Sequence, residues 1–215
     1  MTDMNGTPIG LIADSHGNLK TTAEAIRVLR QRGARTLVHL GDFCDSIRHD
    51  TAPAMIRLLQ KNGVRAVKGN NDFSVERTLA DERRRPDPAG ERTIAYLKGV
   101  PFTFALNGLL FAHSLPYDSL RSFYEPIDTG TTQRAERLFN EADFQLLFCG
   151  HSHIPILFRM AAGTVTREQV SPGEKRYRDS GDRFIVIVGA ADDGECALYD
   201  PATRTYERIN LSASH

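Results

Sequence analysis

Pro8-Ile9-Gly10-Leu11-Ile12-Ala13 is a short apolar run that stops at Asp14-Ser15-His16-Gly17-Asn18. An Ile- and Leu-rich run of this length predicts a buried strand, and the polar segment behind it predicts a loop. Asn18 is placed to cap a helix whose apolar face is Leu19, Ala23, Ile26 and Leu29, with Gly33 just past its end. The next run, Thr36 to Leu40, again reads as a strand and stops at Gly41-Asp42. Then the unit repeats. Thr51 and Pro53 open a second helix carrying Met55, Ile56, Leu58 and Leu59, Asn62-Gly63 close it, and a third strand, Val64 to Lys68, leads into Gly69-Asn70-Asn71-Asp72.

Two consecutive βαβ units imply parallel strands joined by right-handed crossovers, so the three polar loops share one sheet edge. Asp14 and Asp42 lie 28 residues apart, as do Asp42 and Asn70, the spacing that two units of equal size produce. Ligand sites in open α/β sheets form outside the carboxyl ends of the strands. These side chains should therefore converge.

Further along, residues 73 to 100 are charged and read as partly helical, with Arg83-Arg84-Arg85, Pro86 and Pro88 marking a break. Phe102 to Leu106 and Leu109 to Ala112, joined by Asn107-Gly108, read as a β-hairpin with a type I′ turn, and its second strand ends at His113. Ser114 to Gly130 is aromatic, contains proline and lacks periodicity, which suggests an ordered loop beside the site. Thr132 is placed to cap a helix through about Ala142, and Gln145 to Cys149 is a strand delivering Gly150-His151-Ser152-His153. Two imidazoles one residue apart in a tight loop can face one point, or two neighbouring points. Beyond them, Ile156 to Met160, Thr164 to Val170, Phe184 to Gly189, Cys196 to Tyr199 and Thr205 to Leu211 read as antiparallel strands. The expected class is α/β, a four-layer α/β/β/α sandwich of two mixed sheets with flanking helices.

The bulk composition limits the function classes. A chain of 215 residues with 40% hydrophobic content can bury one sizeable core, so residues 1–215 are expected to form one domain. Lys plus Arg equals Asp plus Glu at 27 each, so no overall field draws the protein to nucleic acid or an anionic membrane. Cys44, Cys149 and Cys196 are odd in number and lack Cys-x-x-Cys spacing, which together with the lack of a signal-like start suggests a cytoplasmic protein with Met1 to Gly6 as a loose leader. No run approaches the roughly 18 apolar residues a membrane span needs. A homo-oligomer stays open.

Asp14, His16, Asp42, Asn70, His113, His151 and His153 all follow predicted strands. Singly, each has a bland explanation: Asp14 and Asn18 as helix caps, Gly41-Asp42 and Asn70-Asn71 as turns, His113 as a core histidine. Five successive strand ends carrying metal-competent side chains on one edge are hard to attribute to chance. So many imidazoles exclude magnesium; the mixture with carboxylate and amide oxygen suits manganese, iron, zinc, cobalt or nickel. Seven ligands fit two divalent ions bridged by Asp42.

Taken in order, Asp14-Ser15-His16, Gly41-Asp42, Gly69-Asn70-Asn71-Asp72, His113 and Gly150-His151-Ser152-His153 resemble the calcineurin-like metallophosphoesterase superfamily over about two thirds of the chain. Val170-Ser171-Pro172-Gly173 and Arg178-Asp179 further resemble its small bacterial phosphodiesterase-like branch. The resemblance implies that Asp14, His16 and His153 hold one metal and Asn70, His113 and His151 the other, with Asp42 bridging and manganese favoured. A bridging water or hydroxide of lowered pKa would then attack phosphorus in line. Catalytic roles would fall to Asp42, Asn70, Asn71 and His113.

One departure matters: Asn71 stands where much of the family has a histidine that protonates the leaving alkoxide, and an amide cannot supply that proton. Leaving groups that need little acid help, such as aryl, nucleotide diester or anhydride oxygens, or a proton from water or another side chain, are therefore expected. This moves the reading from monoesters toward small-molecule or nucleotide phosphodiesters, with a phosphomonoesterase or a dinucleoside polyphosphate hydrolase as the second reading. A scaffold of the same fold without catalysis is the competing class; intact ligand positions count against it. His39 reads as a residue supporting the ligands or a core histidine, His49 as a solvated loop residue, Cys44 as a small core filler, Arg83-Arg84-Arg85 as a solvated face, and Tyr117, Phe123 and Tyr124 equally as groups that stack on a base or aryl group or as loop packing.

Overall fold

The computed structural model describes residues 6–81, 88–116, 120–177 and 181–211. Residues 1–5 of the expected leader, Arg83-Arg84-Arg85 with Pro86, Tyr117, the Phe123 side chain and Arg178-Asp179 lie outside the described residues.

The first repeat folds as its pattern predicts: β1 (Ile9–Ile12), α1 (Leu19–Gln31), β2 (Thr36–His39), α2 (Ala52–Lys61) and β3 (Val64–Ala66). β1 pairs parallel with β2, and β2 with β3. Asn18 caps α1, its side-chain oxygen accepting from the Thr21 N–H at 3.2 Å. The third polar segment is not a loop, because Asn70 itself opens α3 (Asn70–Asp81), which is followed by α4 (Pro88–Gly99). The charged stretch from 73 to 100 thus carries two helices.

β4 (Thr103–Leu106) and β5 (Leu109–Ala112) form the expected hairpin, with Asn107 and Gly108 both at positive φ, as a type I′ turn requires. After a long loop come α5 (Gln133–Glu141), β6 (Leu146–Cys149), β7 (Ile156–Ala161), β8 (Thr164–Gln169), β9 (Lys175–Tyr177), β10 (Arg183–Ile187), β11 (Glu195–Asp200) and β12 (Thr205–Asn210). Thr132 precedes α5 but makes no capping bond; its hydroxyl donates to Glu136 instead.

Among the described residues two six-stranded mixed sheets result, in the orders β3-β2-β1-β11-β12-β9 and β4-β5-β6-β10-β7-β8. The C-terminal part is not uniformly antiparallel as its sequence suggests. β10 inserts between β6 and β7, parallel to the first and antiparallel to the second. Its Phe184 to Ile187 are all buried, and a central position covers both faces of such a run.

Three apolar layers hold the sandwich. Leu11, Ala13, Val38, Leu40, Phe111, Phe148, Val186, Tyr199 and Tyr206 fill the space between the sheets. Helices α1, α2 and α4 cover the outer face of the first sheet through residues such as Ile26, Leu29, Met55, Leu59 and Leu97. Helix α5 covers the second through Leu138 and Phe139. The carboxyl ends of β1, β2, β5 and β6 are thereby held at one edge.

Candidate metal centre

At that edge the backbone is unusually constrained. Asp14, His16, Asp42, His151 and His153 have φ of 50°, 43°, 54°, 70° and 58°, a region that non-glycine residues seldom occupy. Cross-loop hydrogen bonds hold them there: Asp14 N–H to Gly41 O at 3.1 Å, His16 N–H to Asp42 O at 3.0 Å, and His151 N–H to the Asp14 carboxylate at 2.9 Å.

Each motif glycine makes room for a ligand from another motif. A Cβ on Gly41 would lie 2.6 Å from His113 Nδ1, one on Gly150 would lie 2.5 Å from Asp14 Oδ2, and one on Gly69 would come closer still to Asp42 Oδ1. Close approach therefore explains these glycines as well as turn geometry does.

The loops bring all seven predicted side chains together. On one side, His16 Nε2 and His153 Nε2 are 3.1 Å apart and Asp14 Oδ1 is 3.7 Å from His153 Nε2. On the other, His113 Nε2 lies 3.0 Å from Asn70 Oδ1, 3.2 Å from His151 Nδ1 and 3.5 Å from Asp42 Oδ2. Ligand atoms of Asp14, His16 and His153, and of Asp14, Asp42 and His113, lie within 4.8 Å of one another in each set and could hold a metal ion.

Tautomer chemistry supports a cation at this point. His113 Nδ1 is 2.8 Å from Leu40 O, which can only accept, so Nδ1 carries a hydrogen. A neutral His113 then turns a lone pair at Nε2 toward Asn70 Oδ1, His151 Nδ1 and Asp42 Oδ2. Lone pairs facing one another repel unless positive charge sits among them, so the donor set fits a divalent ion of the kind its chemistry predicts.

Positive charge is favoured at this point on either footing, as a cation among the lone pairs of a neutral His113 or as a proton on His113 Nε2 facing Asp42. Burial works against a charged His113, yet the Asp42 carboxylate beside it overrides burial and pushes the ring up to about 10. Burial likewise opposes charge on Asp42, but His113 and hydrogen bonds from His113 and Asn71 hold it well below the usual carboxylate range. Burial raises Asp14 to about 7, and burial with the neighbouring His113 lowers His151 to about 4.

Several supporting residues complete the site. Fully buried His39 places Nε2 2.8 Å from Ser15 Oγ, which accepts from Thr22 Oγ1 at 2.8 Å, so it braces the first loop as expected. Asn71 donates from N and Nδ2 to the two Asp42 oxygens at 2.7 and 2.6 Å, and its own Oδ1 accepts from Ser46 N–H at 3.3 Å.

Asp72 stands out in the sequence only as an aspartate without a histidine partner. It is buried and accepts backbone N–H bonds from Asp42, Cys44 and Gly69 at 2.9, 2.8 and 2.8 Å, which ties two ligand loops together. A carboxylate used wholly on backbone leaves no compositional trace, so nothing in the sequence distinguishes it from a turn residue. Asp193, 3.9 Å from His153 Nδ1, is also missed by sequence reasoning. The three cysteines are buried free thiols, and burial raises Cys196 to about 12, consistent with core filling. His49 is half-buried in a short 3-10 turn, His49–Thr51. No helix of the described residues is long and apolar enough to cross a membrane.

A family model for the calcineurin-like phosphoesterase superfamily domain matches residues 8–194. The chain belongs to that superfamily. Its calcineurin-like fold recurs in solved structures. A metallophosphoesterase from Sphaerobacter thermophilus superposes with a TM-score of 0.71 at 20% identity, covering 95% of this chain and 89% of that one. A Thermus thermophilus protein gives 0.57 at 12% identity, covering 96% and 99%. An archaeal phosphodiesterase gives 0.51 at 13%, covering 94% and 98%. A search of curated proteins finds no match. Membership of a phosphoesterase superfamily supports a hydrolase.

Proposed function

We propose that the chain acts as one metallophosphoesterase domain that hydrolyses phosphodiesters of small-molecule or nucleotide type with two divalent transition-metal ions, manganese first among them. The observation that carries this reading is the meeting of seven nitrogen- and oxygen-bearing side chains where loops of both sheets converge, with His113 Nε2 turned toward Asn70, His151 and Asp42. Asp14, His16 and His153 would hold one ion, Asn70, His113 and His151 the other, and Asp42 would bridge. Bound there, such ions supply Lewis acidity that neutralises phosphoryl oxygens and makes water a competent nucleophile at neutral pH.

The chain's own part is orientation. Leu40 O fixes the His113 tautomer, Asn71 holds both Asp42 oxygens, and Asp72 fixes the backbone beneath them. Asn71 has no proton to give a leaving alkoxide. The site therefore favours diesters whose leaving oxygen is a weak base.

Purified protein with manganese should hydrolyse bis(p-nitrophenyl) phosphate and bind two metal equivalents. Asp42→Ala should lower turnover by about 10³-fold or more, since losing the shared ligand removes several kcal/mol of charge stabilisation. Equal turnover by wild type and Asp42→Ala would remove the metal mechanism. Faster turnover of monoesters or dinucleoside polyphosphates than of any diester would replace the substrate class.

A further inference from the structure

Among the described residues, the large apolar side chains that stay exposed are Leu19, Ile47, Tyr124 and Ile154, at 37%, 88%, 57% and 50%. Scattered singly, such residues need no explanation. These four share a placement along the chain: each lies in the segment following β1, β2, β5 or β6, four of the five strands that lead into metal-site side chains.

Their tethers reach the site directly. Leu19 opens α1 beside the capping Asn18, three residues past His16. Ile47 precedes Arg48, whose guanidinium donates to His16 O at 3.3 Å. The Tyr124 backbone hydrogen-bonds the His151 ring, and Ile154 follows His153. The arginines near this rim are matched: Arg48 pairs with Asp45 at 2.6 Å, and Arg121 pairs with Glu125. The rim thus offers apolar side chains beside cations already paired, with the carboxylates of Asp192, bound by Asn18, and of Asp193, facing His153, on the side nearest Leu19 and Ile154.

We infer that this rim binds the organic group of the substrate, so that the preferred substrates are phosphodiesters carrying an alkyl or aryl chain beyond the phosphate. The proposal rests on the phosphodiesterase reading of the same site. The phosphate diester is an anion suited to the metal centre, and its ester substituent must leave across the adjoining surface, where apolar contact is what the rim supplies. In the hydrolysis, a P–O bond to water oxygen forms as the P–O bond to the leaving oxygen breaks. The two protons of water go to the medium or to the products, and no atom changes oxidation state.

The test uses the 215-residue chain loaded with manganese and the methyl, butyl and octyl esters of p-nitrophenyl phosphate, which share one leaving group. Wild type should prefer octyl over methyl by about 10-fold or more in kcat/KM, through KM. In Ile47→Ser/Ile154→Ser, and separately in Tyr124→Ser, that ratio should fall toward one. A ratio near one in wild type, or one unchanged in both variants, overturns the proposal while leaving the phosphodiesterase reading intact. Turnover of none of the three esters overturns both. If the variants change the sedimentation coefficient and leave the ratio alone, the rim is an association surface and the proposal fails.

Discussion

The two sheets contribute unequal halves to the centre. Loops of the first sheet supply Asp14, His16, Asp42 and Asn70, mostly oxygen donors, and they are locked from beneath: Asp72 gathers three backbone N–H groups, and backbone bonds join Asp14 to Gly41 and His16 to Asp42. Loops of the second sheet supply only imidazoles, His113, His151 and His153. The long segment that follows His113 is held through side chains, Arg167 pairing with Asp128 at 2.8 Å and Arg134 donating to Pro126 O at 3.0 Å. A half braced by buried backbone bonds keeps fixed geometry, whereas one anchored by partly exposed ion pairs can adjust. That difference would suit the proposed centre, in which the Asp42 carboxylate stays put while a neighbouring loop adjusts to substrate.

The sharpest way to break this contrast is Asp72→Ala, which strands three buried N–H donors under the first-sheet loops. A stability loss on the order of 3 kcal/mol or more is expected, since each stranded donor costs roughly 1–3 kcal/mol. Manganese affinity should fall about 10–100-fold, the usual cost of losing an orienting partner. Calorimetry with and without metal would measure both, and an unchanged metal affinity would show that the first half needs no brace.

A middle-sized effect is expected where the halves touch. Gly150→Ala would drive a methyl to 2.5 Å from Asp14 Oδ2 and 2.9 Å from Ala13 Cβ, both on a buried strand end. Overpacking of about 1–3 kcal/mol should follow, together with loss of the metal-dependent rise in Tm. If Tm still climbs normally with added manganese, the two halves are less tightly opposed than these distances indicate.

The smallest effect belongs to the adjustable half. The Arg167 hydrogen bond holds the Asp128 carboxyl below the usual carboxylate range. A carboxyl depressed on folding adds stability above its unfolded value of about 3.9 and loses it as pH falls through the folded value. Asp128→Asn should therefore cost about 0.5–1 kcal/mol near pH 7, as expected of an exposed pair, and the gap between wild type and variant should close toward about pH 3. Urea melts at the two pH values would reveal it, and a gap that persists in acid would assign the effect to packing.

Much of this arrangement can be read along the chain. Asp14 to Asp72 is legible because a strand, a capped helix and a glycine-bounded turn repeat locally, and the Gly-His-Ser-His segment is legible from its two imidazoles. Harder to read is the placement of β10 beside β6, since Phe184 to Ile187 would suit any buried strand. Positive φ at Asp14, His16, Asp42, His151 and His153 is equally hidden, because these residue types also adopt ordinary backbone and only neighbouring loops force them out of it.

The order and spacing of the motifs, and the donor chemistry they carry, were determined by sequence alone, because strand period, capping and ligand type are local properties of residues. Which strands became neighbours, how far Asp72 reaches, and that His113 turns Nε2 toward Asn70, Asp42 and His151 were decided only in three dimensions. The reason is that hydrogen-bond pairing and lone-pair direction depend on partners distant along the chain, and burial makes each choice costly to reverse.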